Sequence, residues 1–189
     1  MTPRNLNRLK LLGVAAIAVA PVLGSYLLFW FWAPDRFTNY GTLLPPAAVP
    51  TTAMQDVGGK AVSLETLRGR WIFVVVDSGR CDADCEAKLW KMRQVRQAQG
   101  KELARIERVM LLEDAVVPNE NLRNEYQGTW FVTSRDARLQ SMLTAPQSAR
   151  KHIFVVDPLG NLILRFPEDA DPKLMIKDMT RLLKYSQVG

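Results

Sequence analysis

The sequence predicts an α/β sandwich, in which helices cover both faces of a mixed β-sheet, preceded by one transmembrane helix. Three observations support this prediction: an uncharged apolar stretch near the N-terminus, a continuous apolar run at residues 71–76, and alternating strand-like and helix-like segments after it. The chain has 189 residues, which suits about one ordinary domain with a short appendage.

The composition excludes several classes of protein. The chain has 25 Lys and Arg, 19 Asp and Glu, 2 Cys and 1 His. These Cys and His residues cannot by themselves supply four zinc ligands, and they exclude a disulfide-rich scaffold. Three basic residues precede the apolar stretch, and the remainder is nearly balanced, so no nucleic-acid partner is expected. Chemistry beyond carboxylates and hydroxyls must involve Cys81, Cys85 and His152.

The apolar stretch covers residues 11–33 and contains no charge. A helix of this length crosses a hydrocarbon core of about 30 Å, and a spanning helix tolerates Pro21 with a kink. The aromatic cluster at 29–32 is typical of a retained anchor rather than a cleaved signal peptide. Because the basic segment 1–10 precedes the span, we expect a cytoplasmic N-terminus and an extracytoplasmic remainder.

The segment after the anchor is rich in proline. Prolines occur at positions 34, 45, 46 and 50, which predicts a semi-rigid linker over residues 34–50. The extracytoplasmic domain is then expected to cover residues 51–189.

The first part of this domain predicts a β-loop-α unit. Adjacent glycines favour a short hairpin over residues 54–62, and the β-branched run 71–76 indicates a central strand covered on both faces. A loop then leads into a helix over residues 81–99, with Gly100 as its C-cap. Both cysteines are predicted to lie in the first turns of that helix.

The remaining segments complete the predicted order β-α-β-(α)-β-β-α, which is that of a thioredoxin-like sandwich. The turn Asp157-Pro158-Leu159-Gly160 predicts a hairpin, and Asp171-Pro172 predicts the start of the final helix. The predicted segments are strands at 106–112, 129–132, 153–156 and 161–166, and helices at 119–126, 135–142 and from Pro172 to about Tyr185.

The spacing of the two cysteines indicates that their sulfurs can meet. Residues four apart lie one turn apart on the same face of a helix, so Cys81 and Cys85 can join each other or bind one metal ion. A helix N-terminus favours the thiolate, whereas Asp82 and Asp84 oppose it. Two thiolates suit Cu(I), and an imidazole from His152 would give a site that also suits Cu(II).

The order of these features resembles the Sco/SenC family. The resemblance rests on the membrane anchor, the hairpin followed by the sequence SLETLRGR at 63–70, the apolar strand, the Cys-x-x-x-Cys motif at 81–85, and His152 before the Asp157 turn. It implies a thioredoxin-like, membrane-anchored copper chaperone and thiol reductase that helps to build the dinuclear copper centre of cytochrome c oxidase.

The resemblance also implies roles for individual residues. Cys81 and Cys85 would be copper ligands or a redox couple, and His152 a third copper ligand. The implied partners are the membrane and a respiratory oxidase subunit or another copper or thiol protein.

Two further functions stay open at this point. The chain could be a general thiol-disulfide oxidoreductase, with Cys81 attacking and Cys85 resolving the mixed disulfide. It could also be a non-catalytic scaffold whose cysteines form a permanent disulfide or are dispensable. The first alternative makes the chain an enzyme, whereas the Sco-like function makes it an assembly factor.

Seven basic residues between positions 88 and 108 could form a docking face for an acidic partner. Because Glu102 and Glu107 interrupt them, the pattern favours a solvated surface. The residues are Lys88, Lys91, Arg93, Arg96, Lys101, Arg105 and Arg108.

Overall fold

The computed structural model describes residues 3–31, 39–50 and 53–186. The chain forms two compact units, Met1–Thr38 and Asn39–Gly189. The described part of the first unit is helix α1, Pro3–Phe31.

Helix α1 continues through Pro21, and its segment Lys10–Trp30 is long and apolar enough to cross a membrane. Its apolar side chains are exposed, Trp30 to 84%, as expected for a helix whose apolar surface needs a lipid environment. Because the helix begins at Pro3, the described part of the predicted segment 1–10 belongs to it. Residues 32 and 33 of the predicted span lie outside the described residues.

The second unit is built on one eight-stranded mixed sheet with the order β1-β8-β7-β4-β5-β6-β2-β3. Strands β4, β5 and β6 are parallel, and all other neighbours are antiparallel. The strands are β1 Thr42–Ala48, β2 Ala53–Asp56, β3 Ala61–Ser63, β4 Trp71–Asp77, β5 Ile106–Leu112, β6 Thr129–Thr133, β7 Ile153–Val156 and β8 Asn161–Phe166.

Helices cover both faces of this sheet. One core cluster joins α2, α3 and α5 to one face, and a second joins α4 to the other. This arrangement confirms the predicted sandwich. The helices are α2 Ala83–Ala98, α3 Glu120–Glu125, α4 Ala137–Met142 and α5 Pro172–Tyr185, with short 3-10 helices at Leu64–Leu67, Gly100–Arg105 and Ala149–Lys151.

Strand β4 is the central strand, as its sequence predicts. It lies between β5 and β7. Successive side chains of a strand point to opposite faces, so Phe73 contributes to one core cluster and Val74 to the other. Both faces are buried, which accounts for the uninterrupted apolar run.

Residues 42–48, part of the predicted linker, form the edge strand β1 instead. This strand pairs with β8, with an irregular register between Leu43 and Ala47. Pro45 and Pro46 fall in that irregular segment, where their missing N–H groups cost little because edge strands and bulges tolerate proline. The described part of the domain therefore starts before residue 51, and residues 34–38 lie outside the description.

The prediction that both cysteines lie inside a helix is wrong. Helix α2 begins at Ala83, and the Asp82 side chain caps it by accepting the Cys85 N–H. An N-cap residue fixes where a helix starts, so Cys85 is helical whereas Cys81 belongs to the preceding loop. Gly100 follows the helix in the left-handed region, with a φ of 57°, close to its predicted place at the helix end.

Candidate functional site

The two cysteines form a disulfide at the carboxyl end of the central strand. Cys81 and Cys85 are joined, with their Cα atoms 5.1 Å apart. Cys85 is fully buried, whereas Cys81 is 8% exposed. Both cysteines are therefore buried, and the small exposed area of the bridge lies on the Cys81 side.

The first turn of α2 holds Cys85 in place. The Asp82 carboxylate accepts the Cys85 N–H at 3.0 Å, and the Asp82 carbonyl accepts the Glu86 N–H at 2.9 Å. The Cys85 side chain belongs to the core cluster that contains Leu89. Packing on one side and the cap on the other fix the position of this sulfur.

Cys81 has an unusual backbone conformation. Its φ is 41°, in the left-handed region that side chains with a Cβ rarely adopt. Its N–H donates to the Ser78 carbonyl at 3.1 Å. Such a conformation costs about 1–3 kcal/mol and concentrates at functional sites, so the loop must impose it on the cysteine.

The loop before Cys81 is held by Asp114, which follows β5. The Ser78 hydroxyl donates to Asp114 Oδ2 at 2.5 Å, and the Gly79 N–H donates to Asp114 Oδ1 at 3.0 Å. The Gly79 N–H and then the Ser78 hydroxyl lower the pKa of Asp114 below its ordinary value. A Cβ at Gly79 would overlap the Val116 carbonyl oxygen, so this close approach requires glycine.

A buried ion pair lies beneath the same loop. Asp77 ends β4, and its Oδ2 is 2.6 Å from Lys88 Nζ of α2, with both side chains 7% exposed. Lys88 also donates to the Arg150 carbonyl, and Arg150 Nη2 lies 2.7 Å from Glu113 Oε1. The ion pair thus connects the central strand, the cysteine helix and the turn before β7.

His152 lies at the same end of the sheet as the cysteine loop, because β7 runs antiparallel to β4. It is buried, and its Nδ1 is 2.8 Å from the Phe166 carbonyl oxygen. Within the described ranges, no three His, Cys, Asp or Glu residues form a group that could hold a metal ion. The structure therefore brings the two predicted sulfurs together without adding His152 to them, and His152 as a third copper ligand stays a prediction.

Sequence reasoning missed Asp77, Lys88 and Asp114. Strands β4 and β5 are parallel, with Asp77 opposite Leu112, so their carboxyl ends meet at one edge of the sheet. The polar residues directly after β5 could therefore have been expected beside the cysteine loop. The inward direction of Lys88 has no comparable signal, since lysine normally faces solvent.

Residues 71–186 match the family described as the transmembrane-like, thioredoxin-like, C-terminal domain. The chain belongs to this family. The match begins with the central strand and includes both cysteines, His152 and the whole of α5. The thioredoxin-like fold predicted from the order of elements is therefore confirmed.

Solved structures with the same fold include Sco proteins, as the resemblance implies. ScoI from Bradyrhizobium japonicum with copper bound has a TM-score of 0.55 and 16% identity, covering 71% of this chain and 99% of that one. Yeast Sco1 with copper bound has a TM-score of 0.60 and 12% identity, covering 76% and 96%. At these identities the likeness establishes the fold.

A third structure of similar fold is the thioredoxin domain of a thiol-disulfide oxidoreductase from Bacteroides vulgatus. Its TM-score is 0.53 at 16% identity, and the alignment covers 75% of this chain and 99% of that one. No curated protein matches the sequence significantly. The fold is thus shared by copper-bound proteins and by a disulfide-exchanging protein.

Proposed function

We propose that this chain is a membrane-anchored, extracytoplasmic Sco-like protein that assists assembly of cytochrome c oxidase by reducing a client disulfide to thiols through Cys81 and Cys85. The observation that carries the proposal is the disulfide between Cys81, which lies in a loop and is 8% exposed, and Cys85, which is helical and fully buried. This asymmetry matches the two roles that disulfide exchange requires, one attacking sulfur and one resolving sulfur.

A permanent structural staple is the weaker explanation of this bridge. It closes only a short loop, with a separation of 4 residues, so it removes little entropy from the unfolded chain. It also lies where Cys81 has a left-handed backbone. A bridge that stabilises little and sits in a strained loop is better suited to opening and closing.

The proposed reaction starts from the reduced pair and a client disulfide. The Cys81 thiolate attacks one client sulfur, and the other client sulfur leaves as a thiolate. The Cys85 thiolate then attacks the Cys81 sulfur, which closes the disulfide and releases the second client thiolate. Two electrons pass to the client, and the protons of the two cysteine thiols pass to the client thiols. A dithiol protein of the same compartment would reduce the chain again.

Helix α1 and the flanking charges support the proposed location. The helix is long and apolar enough to cross a membrane, and the basic residues before it favour a cytoplasmic N-terminus. The domain would then face a compartment in which thiols tend to oxidise. Copper-site cysteines of an oxidase subunit exposed there would need a reductant before they could bind metal.

Copper delivery through the same sulfurs is the second candidate. The solved ScoI and Sco1 structures of this fold hold copper, and two thiolates suit Cu(I). Copper would be cargo carried by reduced Cys81 and Cys85. His152 would add a ligand only through Nε2, since its Nδ1 already contacts the Phe166 carbonyl.

Trapping of the mixed disulfide tests the thiol reaction. The full chain in a neutral detergent would be reduced, freed of reductant and mixed with an oxidised peptide that contains a Cys-x-x-x-Cys disulfide. We expect Cys85→Ser to accumulate a mixed disulfide with the peptide, because Cys81 can attack but nothing resolves the product. Wild type should instead release reduced peptide, measured by mass spectrometry.

The matched control is Cys81→Ser, which keeps only the buried sulfur and should trap much less peptide. Equal trapping by the two variants would contradict the assigned order of attack. No peptide reduction by the wild type would remove the reductase function.

An anaerobic Cu(I) titration against a competing chelator tests the second candidate on the same reduced chain. Copper delivery predicts one tightly bound ion that Cys81→Ser and Cys85→Ser each abolish. His152→Asn should weaken binding if the imidazole is a ligand, and should leave it unchanged if only the sulfurs bind. Absence of stoichiometric binding by the wild type would exclude copper delivery without affecting the peptide assay.

A further inference from the structure

Three arginines converge on a polar cleft next to the later turns of α2. Arg93 and Arg96 come from α2 and Arg108 from β5, and they line a cleft of about 400 Å³. The other lining residues are Gln94, Gln97, Asn124, Glu125 and Gln127. The cleft therefore contains three cationic side chains, four amides and one carboxylate.

Acidic side chains do little to neutralise this cluster. Glu107, next to Arg108 in β5, faces the opposite side of the sheet and pairs there with Arg70. Glu125 lies 3.8 Å from Arg93. In the part of the chain that the structure describes, neither Arg96 nor Arg108 has a carboxylate oxygen within 4.0 Å.

Arg108 is the unusual member of the cluster, because it is 3% exposed. Its Nη2 donates to the Gln127 carbonyl at 2.5 Å, whereas its Nε and Nη1 are buried without a hydrogen-bond partner among the described residues. Burial, then the nearby charges of Arg96 and Arg93, lower its pKa to about 10, although Glu107 raises it. A buried cation without a counterion is costly unless an anion can approach it.

The other two arginines are already held in place. The Arg96 Nε donates to the Ile106 carbonyl at 2.7 Å. Arg93 donates to the Glu125 carbonyl at 2.9 Å and lies over the Tyr126 ring at 5.0 Å. Their guanidinium groups are thus oriented before any ligand arrives, which reduces the entropy lost on binding.

We propose that this cleft binds a doubly charged oxyanion of the phosphate class, either free phosphate or the phosphate ester of a small polar molecule. Guanidinium groups match the oxygen geometry of phosphate with paired hydrogen bonds. The surrounding amides can bind the hydroxyl groups of an ester. Three arginines against one paired glutamate leave a positive charge that a dianion would balance.

The structure also corrects the interpretation of the basic residues at positions 88–108 as a solvated surface only. Lys88 points inward to Asp77, and Lys101 is 92% exposed. Arg93, Arg96 and Arg108 are instead gathered at one cleft. The cleft contains neither cysteine. A substitution that abolishes anion binding should therefore leave the thiol reaction unaffected, and a substitution of either cysteine should leave anion binding unaffected.

Isothermal titration calorimetry of the full chain in a neutral detergent tests the proposal. Inorganic phosphate and glycerol 3-phosphate would be titrated separately at one ionic strength, with chloride as the reference anion. We expect one bound phosphate per chain and a higher melting temperature in phosphate than in chloride. Tighter binding of the ester than of free phosphate would identify an ester as the better ligand, and equal binding would identify the free anion.

Arg96→Gln should weaken phosphate binding by roughly tenfold or more, since it removes a charge-assisted hydrogen bond. Lys101→Gln removes the same charge from an exposed site and should leave the affinity within about twofold. Arg108→Met should stay folded but lose the phosphate-dependent rise in melting temperature. If Arg108→Met does not fold, Arg96→Gln decides. Binding no stronger than that of chloride, or equal weakening by Arg96→Gln and Lys101→Gln, would overturn the proposal.

Discussion

Lys88 and Arg108 are both buried cations on the α2 side of the sheet, but their surroundings differ. Lys88 has a carboxylate at 2.6 Å and a second acceptor in the Arg150 carbonyl. Arg108 has one carbonyl acceptor and two nitrogens without partners in the described structure. The first cation is satisfied within the fold, whereas the second is left incomplete.

This difference separates structural charge from charge available to a ligand. A satisfied ion pair holds together the elements that carry it, here β4 and α2. Its polar groups then have little hydrogen-bonding capacity left for a ligand. An unsatisfied cation costs stability, and a cleft beside it offers a way to recover part of that cost. Four substitutions are described from the largest expected effect to the smallest. Asp77→Asn and Arg108→Met test this distinction, and Gly79→Ala and Asp114→Asn test the loop that holds Cys81.

Asp77→Asn should have the largest effect, because it leaves Lys88 buried without a counterion. Removing one partner of a buried pair costs about 3–5 kcal/mol. The free energy of unfolding, measured by urea denaturation of the oxidised chain, should fall by that amount. The control is Glu65→Gln, which breaks an exposed pair with Arg68 at 3.8 Å and should change stability by less than about 1 kcal/mol. Similar losses in both would show that Lys88 does not depend on Asp77.

Gly79→Ala should come next. The added methyl group would overlap the Val116 carbonyl oxygen, so the loops must separate at a cost of about 1–3 kcal/mol. Displacing this loop should also expose Cys81 and speed reduction of the disulfide by dithiothreitol, followed by thiol labelling. At Gly58 the nearest atom to an added Cβ is Asp56 Oδ1 at 3.3 Å, so Gly58→Ala is the matched control. Unchanged reduction rates in Gly79→Ala would show that this loop does not limit access.

Arg108→Met should have a small effect of the opposite sign to Asp77→Asn. Replacing a buried, incompletely paired cation by an apolar side chain of similar length is often neutral or stabilising. In phosphate-free buffer, thermal unfolding should show an unchanged or higher melting temperature. A large loss of stability would mean that Arg108 is satisfied as Lys88 is, and the contrast between the two would disappear.

Asp114→Asn should have the smallest effect on stability, and that effect should depend on pH. The pKa of Asp114 is lowered in the folded protein, so its contribution is present above the unfolded pKa of about 3.9 and is lost as the pH falls through the lower folded value. Wild type should therefore exceed the variant at pH 7, and the two should converge at strongly acidic pH. Melting temperatures of both proteins, measured from pH 7 to strongly acidic pH, would show this convergence. A difference that persists unchanged in acid would contradict the contribution assigned to the Asp114 carboxylate.

Most of the fold could be predicted because the decisive signals are local. The β-branched run at β4, the turn after Val156 and the Asp171-Pro172 start of α5 each depend on neighbouring residues alone. The sequence does not predict strand β1, because proline occurs both in linkers and on edge strands, and only the pairing with β8 distinguishes the two.

The candidate site could be predicted only where sequence neighbours form it. Cys81 and Cys85 are close in sequence, and they are joined in the structure. The predicted start of α2 is too early, because Asp82 can serve as an N-cap or as a residue of the first turn. Asp114 and Arg108 reach their partners through the parallel pairing of β4, β5 and β6, which spacing along the chain does not show.

The double proline of β1 has a consequence for self-association. Strand β1 is the outermost strand of its side of the sheet, and an exposed edge can recruit a strand from a second molecule. Pro45 and Pro46 have no N–H to offer such a strand, and the irregular register around them breaks the regular row of hydrogen-bonding groups. This edge is therefore protected against edge-to-edge aggregation.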